Sequence, residues 1–232
     1  MESRVVNGRR IFAPLCRKEL IDFALANNGM LVAVNAEKIL TDDQATIDII
    51  NDNVGYPDGV GAVWCLRQKG VSNPAKIPGC ELWLDIIRAY HEDKTFYLIG
   101  GTEDVIERTV TKLRKEFPSI QVVGYRDGYI KDQIERDVVI DEVINKSPGV
   151  VFVAMGSPRQ KLLMRAMQKK HAALYQGLGG SFDVYVGNVR RAPSFLVDIN
   201  LEWAFRLIRE PSRIWRQVGL MKFLFRFITG RF

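Results

Sequence analysis

From Met30 to about Gln176 short β-branched runs alternate with longer amphipathic stretches, the pattern of α/β units built on a largely parallel sheet. Strands are predicted at 30–35 (MLVAVN), 95–100 (TFYLIG), 120–125 (IQVVGY), 150–155 (VVFVAM) and 172–177 (AALYQG), with helices between them. The stretch from Thr102 to Phe117 places Val105, Ile106, Val110 and Leu113 on one face of a helix, and Pro118 stops it. A second helical region over 194–229 is broken at Glu210-Pro211-Ser212 and follows a polar segment around Gly187 and Asn188. The predicted organisation is therefore an α/β body over 1–187 and a helical appendage over 188–232.

Composition adds that the body can bury a sizeable core, since 47% of the chain is hydrophobic and 26% charged. Cys16, Cys65 and Cys80 show no metal-ligand or redox spacing and only two histidines accompany them, which favours a reducing cytoplasm. The first residues, MESRVVNGRRIF, lack a secretory-signal pattern, and no segment reaches the roughly 18 consecutive apolar residues of a spanning helix. The net charge of +6 is concentrated at one end. From Val186 onward there are nine Arg or Lys against three Asp or Glu, whereas the preceding part carries 24 of each. A basic tail on a neutral body points to an anionic partner: a membrane surface, a nucleic acid or a phosphate-bearing substrate.

Helical projection of residues 213–228 sharpens that picture. Ile214, Val218, Met221, Phe225 and Ile228 fall on one side, and Arg213, Arg216, Lys222 and Arg226 on the other half. Two readings stand, a helix packed on the body with a solvated basic face and a helix lying in a membrane interface.

In an open α/β sheet ligands bind beyond the carboxyl ends of the strands, so the residues after each predicted strand are the candidates. Asn35 opens Asn35-Ala36-Glu37-Lys38, where it can cap a helix or bond a ligand. Asp58 lies in Tyr56-Pro57-Asp58-Gly59, which reads as a turn and also as a carboxylate at a helix start that can serve as a general base. In Gly156-Ser157-Pro158-Arg159-Gln160, Ser157 fits an N-cap, Pro158 the first helical position and Gln160 the reciprocal partner of a capping box. The same helix start would aim N–H groups at a phosphate, with Arg159 adding a cation and Gln160 free to serve a ligand instead. The Gly-rich loop Gly177-Leu178-Gly179-Gly180-Ser181-Phe182-Asp183 is followed by Arg190-Arg191-Ala192-Pro193 and matches neither standard phosphate-loop pattern. Gly100-Gly101-Thr102 reads as a turn with Thr102 as cap. No D-x-D acid pair, nucleophile elbow or Cys/His cluster occurs, so no metal and no cofactor is expected.

Taken in order, these pieces resemble the WecG/TagA/CpsF family of bacterial glycosyltransferases, glycosyltransferase family 26. The matching elements also include Pro78-Gly79 with Leu82-Trp83, Phe96 to Gly101, Asp127-Gly128-Tyr129, and Leu201-Glu202-Trp203 through Glu210-Pro211-Ser212-Arg213. They run from near residue 31 to near residue 216. The resemblance implies a Rossmann-like α/β fold and metal-independent, inverting transfer from a UDP-sugar to an undecaprenyl-diphosphate-linked acceptor. It implies Asp58 as general base, and Asn35 and Gln160 at the sugar; Lys76, Arg159, Gly179 and Asp183 are the further candidates for substrate binding. Arg206, Arg213 and Arg216 would meet the lipid diphosphate, and Arg190, Arg191, Lys222 and Arg226 the diphosphate or the inner-membrane surface. Three positions depart from the family pattern. Lys161 stands where Glu is frequent, Lys76 stands for an Arg and loses its bidentate fork, and Ala33 stands where teichoic-acid members carry Thr. The last matches the branch that transfers N-acetyl-D-mannosaminuronic acid in enterobacterial common antigen synthesis.

The resulting expectation is a cytoplasmic enzyme held peripherally at the inner face of the membrane, with a homo-oligomer compatible with the sequence. Its rivals are an inactive membrane-surface adaptor, for which Lys161 and Lys76 speak, and a nucleic-acid-binding protein, against which the absence of any nucleic-acid motif speaks.

Overall fold

The computed structural model describes residues 1–189, 214–230 and 232, without the side chains of 214–218 and 220. In chain order the elements are β1 (Ser3–Val6), β2 (Arg9–Phe12), α1 (Arg17–Ala26), β3 (Met30–Val34), α2 (Ala36–Leu40), α3 (Gln44–Asn51), β4 (Val54–Pro57), α4 (Val60–Gln68) and α5 (Gly79–Tyr90). There follow β5 (Thr95–Gly100), α6 (Glu103–Glu116), β6 (Gln121–Arg126), α7 (Gln133–Lys146), β7 (Val150–Ala154), α8 (Arg159–Gln168), β8 (Leu174–Gly177), α9 (Ser181–Tyr185) and α10 (Ile214–Ile228). Six strands form one sheet in the order β4-β3-β8-β7-β5-β6, an α/β Rossmann-like arrangement, and β1 and β2 form a separate hairpin. All five predicted strands are present, each within two residues of its predicted bounds at either end.

Contacts divide the chain into two compact units. One comprises Leu20–Val32 and Gly79–Val189. In it β7 pairs in parallel with β5 and with β8, so that Val151 stands opposite Tyr97 on one side and Tyr175 on the other. Every residue of β7 is buried, as a strand flanked on both edges and covered on both faces requires. Trp83 of α5 fills the layer above, 1% exposed, with edge-on contacts to Phe152, Phe182 and Tyr185 at centroid distances of 5.9, 5.5 and 5.2 Å. The predicted face of α6 is the buried one, carrying Val105, Ile106, Val110 and Leu113, and the Thr102 hydroxyl caps it by accepting the Val105 N–H at 3.3 Å. Lys112 and Arg108, on the same helix, donate to the carbonyls of Tyr185 (2.7 Å) and Val186 (2.9 Å), which pins the segment where the predicted appendage begins.

Close approach of β5 and β7 needs a glycine. At Gly100 φ is +137°, and an added Cβ would lie 2.2 Å from the Ala154 carbonyl oxygen.

The other unit holds Met1–Glu19, Ala33–Pro78 and α10. Its hairpin turns through Asn7 (φ 47°) and Gly8 (φ 79°), two consecutive left-handed residues that match the twist of the paired strands. Asn35 and Asp43 cap α2 and α3 by accepting the N–H groups of Lys38 (3.0 Å) and Thr46 (3.1 Å). The C-terminal helix α10 docks through Phe223, which is fully buried with its ring 3.0 Å from the position a Cβ on Gly61 would take. Phe227 lies beside Trp64 of α4 at 5.8 Å, and Lys69 Nζ donates to the Phe232 carbonyl at 2.5 Å. The side on which helical projection gathers Met221, Phe225 and Ile228 is not the one that packs. Met221, Phe225 and Ile228 are 68%, 61% and 81% exposed, because the aromatic pair at 223 and 227 occupies the packing face.

Trp83→Ala should cost about 3–5 kcal/mol, the usual range for deleting a buried tryptophan. The check is the midpoint of urea denaturation; an unchanged midpoint would mean that Trp83 does not support the layer over β7.

Candidate active site

Three candidates far apart in sequence are gathered by backbone bonds in the first-and-last-segment unit. The Asp58 N–H donates to the Val34 carbonyl at 2.9 Å, which sets Asp58 beside Asn35 at the carboxyl ends of β4 and β3. The Ile77 N–H donates to the Pro57 carbonyl at 3.0 Å, which draws Lys76 to the same place. All three side chains are half-buried. Asp58 is the hinge between β4 and α4, followed by Gly59 at φ 98°, a backbone value that side-chain-bearing residues rarely hold. The turn reading and the functional reading of Pro57-Asp58-Gly59 thus describe one feature, a strand-to-helix junction that leaves a carboxylate at the strand's carboxyl end. Asn35 is the cap that one reading required; its Oδ1 is engaged with Lys38 N–H.

In the other unit Arg159 and Gln160 open α8 after β7, Gly179 lies in the loop after β8 and Asp183 in α9. The expected capping box does not form. The helix starts at Arg159, Ser157 supplies no side-chain cap, and the Gln160 carboxamide does other work. Gln160 Oε1 accepts the Gly156 N–H at 3.1 Å and the Gly179 N–H at 3.0 Å, tying the two loops together. A loop crossing from the neighbouring strand offered it a second donor, which no local motif encodes. Arg159 is exposed, with Nη2 donating to the Met155 carbonyl at 3.3 Å. Asp183 is half-buried in the first turn of α9, and its carbonyl accepts the Val189 N–H at 3.2 Å. The N–H groups of Gln160 and Lys161 at the start of α8 are bonded to the carbonyls of Gly156 and Pro158, both at 3.0 Å, so Arg159 is the group of this helix start that stands ready for an anion.

Of the basic candidates, Arg190, Arg191, Arg206 and Arg213 lie outside the described residues, as does the Glu210-Pro211-Ser212 break. Arg216 lies in α10, its side chain outside the description. Lys222 and Arg226 are exposed on α10. Cys65 is buried, which pushes its thiol up to about 12 and keeps it protonated at neutral pH. Among the described residues no group of three His, Cys, Asp or Glu could hold a metal ion, and no helix is long and apolar enough to cross a membrane.

Two parts of the architecture escaped the sequence reading. Strand β4 is only four residues, Val-Gly-Tyr-Pro, too short and too broken by Gly and Pro to show a period. The β1–β2 hairpin was not predicted; Asn7-Gly8 between two apolar-containing runs is the signal that could have found it.

The residues that form these loops and junctions fall within one continuous match. Residues 12–232 fit the family model described as the glycosyl transferase WecG/TagA/CpsF family, nearly the whole chain. The chain therefore belongs to the WecG/TagA/CpsF family and is a glycosyltransferase.

Proposed function

We propose that this glycosyltransferase moves a sugar, N-acetylmannosaminuronic acid as first choice with N-acetylmannosamine or another hexose next, from a UDP donor to a polyprenyl-diphosphate-linked GlcNAc acceptor in cell-surface polysaccharide synthesis. Asp58 carries the reading, as the carboxylate that two backbone hydrogen bonds gather with Asn35 and Lys76 at strand ends. In a single in-line displacement Asp58 takes the acceptor hydroxyl proton while the anomeric carbon inverts and UDP departs. Asn35 and Gln160 hold the sugar, an orientation that lowers the barrier by several kcal/mol. Lys76 and Arg159 are assigned the charge that grows on the diphosphate, and Gly179 and Asp183 are assigned to the donor as well.

Residues 188–232 act in this proposal as the appendage that brings the enzyme to the inner face of the cell membrane. Exposure of Met221, Phe225 and Ile228 on a helix that also exposes Lys222 and Arg226 supports it, since an interfacial helix needs both groups accessible. Arg190, Arg191, Arg206, Arg213 and Arg216 supply further cations for the membrane or the lipid diphosphate.

Asp58→Asn should lower transfer by about 10²–10⁴-fold, the usual contribution of a general base, and leave UDP-sugar affinity within error. Steady-state UDP release measures it, and near-normal turnover would reduce Asp58 to a turn residue. A chelator should leave the rate unchanged, because in this proposal cationic side chains take the place of a metal at the diphosphate; activity lost and then restored by magnesium or manganese would overturn that. Since Phe223 is buried against α4, truncating the tail would uncover α4, and point changes make the cleaner membrane test. Lys222→Glu with Arg226→Glu should weaken sedimentation with anionic vesicles by roughly tenfold or more, each cation contributing about 1 kcal/mol, with soluble-acceptor turnover unaffected. Vesicle binding equal to that of the native protein would sink the membrane assignment.

A further inference from the structure

The Gln160 carboxamide is committed at one end and open at the other. Two backbone N–H groups, from Gly156 and Gly179, converge on Oε1 at 3.1 and 3.0 Å. That convergence fixes which end of the amide is oxygen, because a reversed carboxamide would aim donors at donors. Nε2 is left with no hydrogen-bond partner among the described residues and is not a buried atom. It lies over the Cα of Gly177, the last residue of β8. A Cβ there would fall 2.4 Å from Gln160 Nε2, 3.0 Å from its Cδ and 3.0 Å from Met164 Cε. Gly177 is not among the residues with positive φ, so its requirement is for space rather than for an unusual backbone.

We propose that Gln160 is a latch: Oε1 ties the loop after β7 to the loop after β8, Nε2 is thereby held as a donor of one fixed direction toward an oxygen of the donor sugar, and Gly177 is the positioning residue that makes room for it. The identity of the ligand rests on the donor reading above, whereas the latch rests on the geometry alone. Glutamate at 160 separates the two roles. A carboxylate keeps, and strengthens, the acceptor for both N–H groups, but puts a negative oxygen where Nε2 stood. Alanine removes both roles. A methyl group at 177 leaves Gln160 in the sequence but displaces its carboxamide from both.

The test uses the full chain with Gln160→Glu, Gln160→Ala and Gly177→Ala. Hydrogen exchange is read at the amides of Gly156 and Gly179, with the Phe152 amide in the buried strand as the control for folding. Binding of UDP-N-acetylmannosaminuronic acid is measured by calorimetry, with UDP as the control for the nucleotide. Gln160→Ala and Gly177→Ala should speed exchange at both loop amides by about tenfold, as expected for a lost hydrogen bond, with Phe152 unchanged. Gln160→Glu should keep the loop amides protected, weaken the nucleotide sugar by about tenfold and leave UDP nearly unaffected. Native protection of Gly156 and Gly179 in Gln160→Ala would overturn the latch. Loosened amides in the alanine variants together with native sugar binding by Gln160→Glu would keep the latch and overturn the sugar-facing role of Nε2, and with it the donor reading of Gln160.

Discussion

Parallel pairing of β7 with β5 and β8 is the constraint from which the chemistry-bearing loops follow. Parallel neighbours cannot be joined by a tight turn, so each strand must be followed by a crossover, and all their carboxyl ends come to the same edge. The loops that leave β5, β7 and β8 are the Gly- and Ser-containing ones: Gly100-Gly101-Thr102, Gly156-Ser157-Pro158 and Gly177 to Ser181. The central strand β7 contributes no polar side chain. Val150 to Ala154 is buried throughout, and the backbones of β5 and β7 approach so closely at Gly100 that a methyl group would meet the Ala154 carbonyl. Polar groups along β7 are thereby confined to the turn that follows it, and the rigid sheet sets where that turn begins.

A second consequence is that polar side chains at the strand ends are only half-buried. Asn35 is held through its Oδ1 by the Lys38 N–H, Asp58 through its own N–H by the Val34 carbonyl, and Lys76 sits next to the Ile77 N–H that bonds Pro57. Half-burial leaves such groups in reach of solvent and strengthens the Coulomb interactions of their charges, since these grow as water is excluded. The loop latch at Gln160 follows the same economy. One side chain satisfies two loop N–H groups that would otherwise require water or ligand, and its remaining donor acquires a direction.

The C-terminal helix divides its surface three ways. Phe223 and Phe227 supply the burial that holds it against α4, of order 1.5–3 kcal/mol for a fully buried aromatic. That leaves Met221, Phe225 and Ile228 exposed beside Lys222 and Arg226. An anchoring face distinct from an exposed apolar face lets one helix be part of the folded unit and still present groups to an interface.

The sequence by itself determined the α/β class, five of the six strands of the main sheet, the α6 face and its Thr102 cap, and the family, because each is written in local periodicity, caps or ordered motifs. It also named Asn35, Asp58, Lys76 and Gln160, through the rule that ligands meet the carboxyl ends of strands and through the family resemblance. Only the tertiary structure decided what those residues touch. The bond from Asp58 N–H to Val34, the bond from Ile77 N–H to Pro57 and the double acceptor role of Gln160 each join segments separated by 19 or more positions, as 160 and 179 are, and no local pattern carries such a pairing. The same reason accounts for the capping box that did not form and for the packing of α10 through Phe223 and Phe227: a side chain goes to the best partner in space, and the nearest one in sequence wins only when the fold offers nothing better.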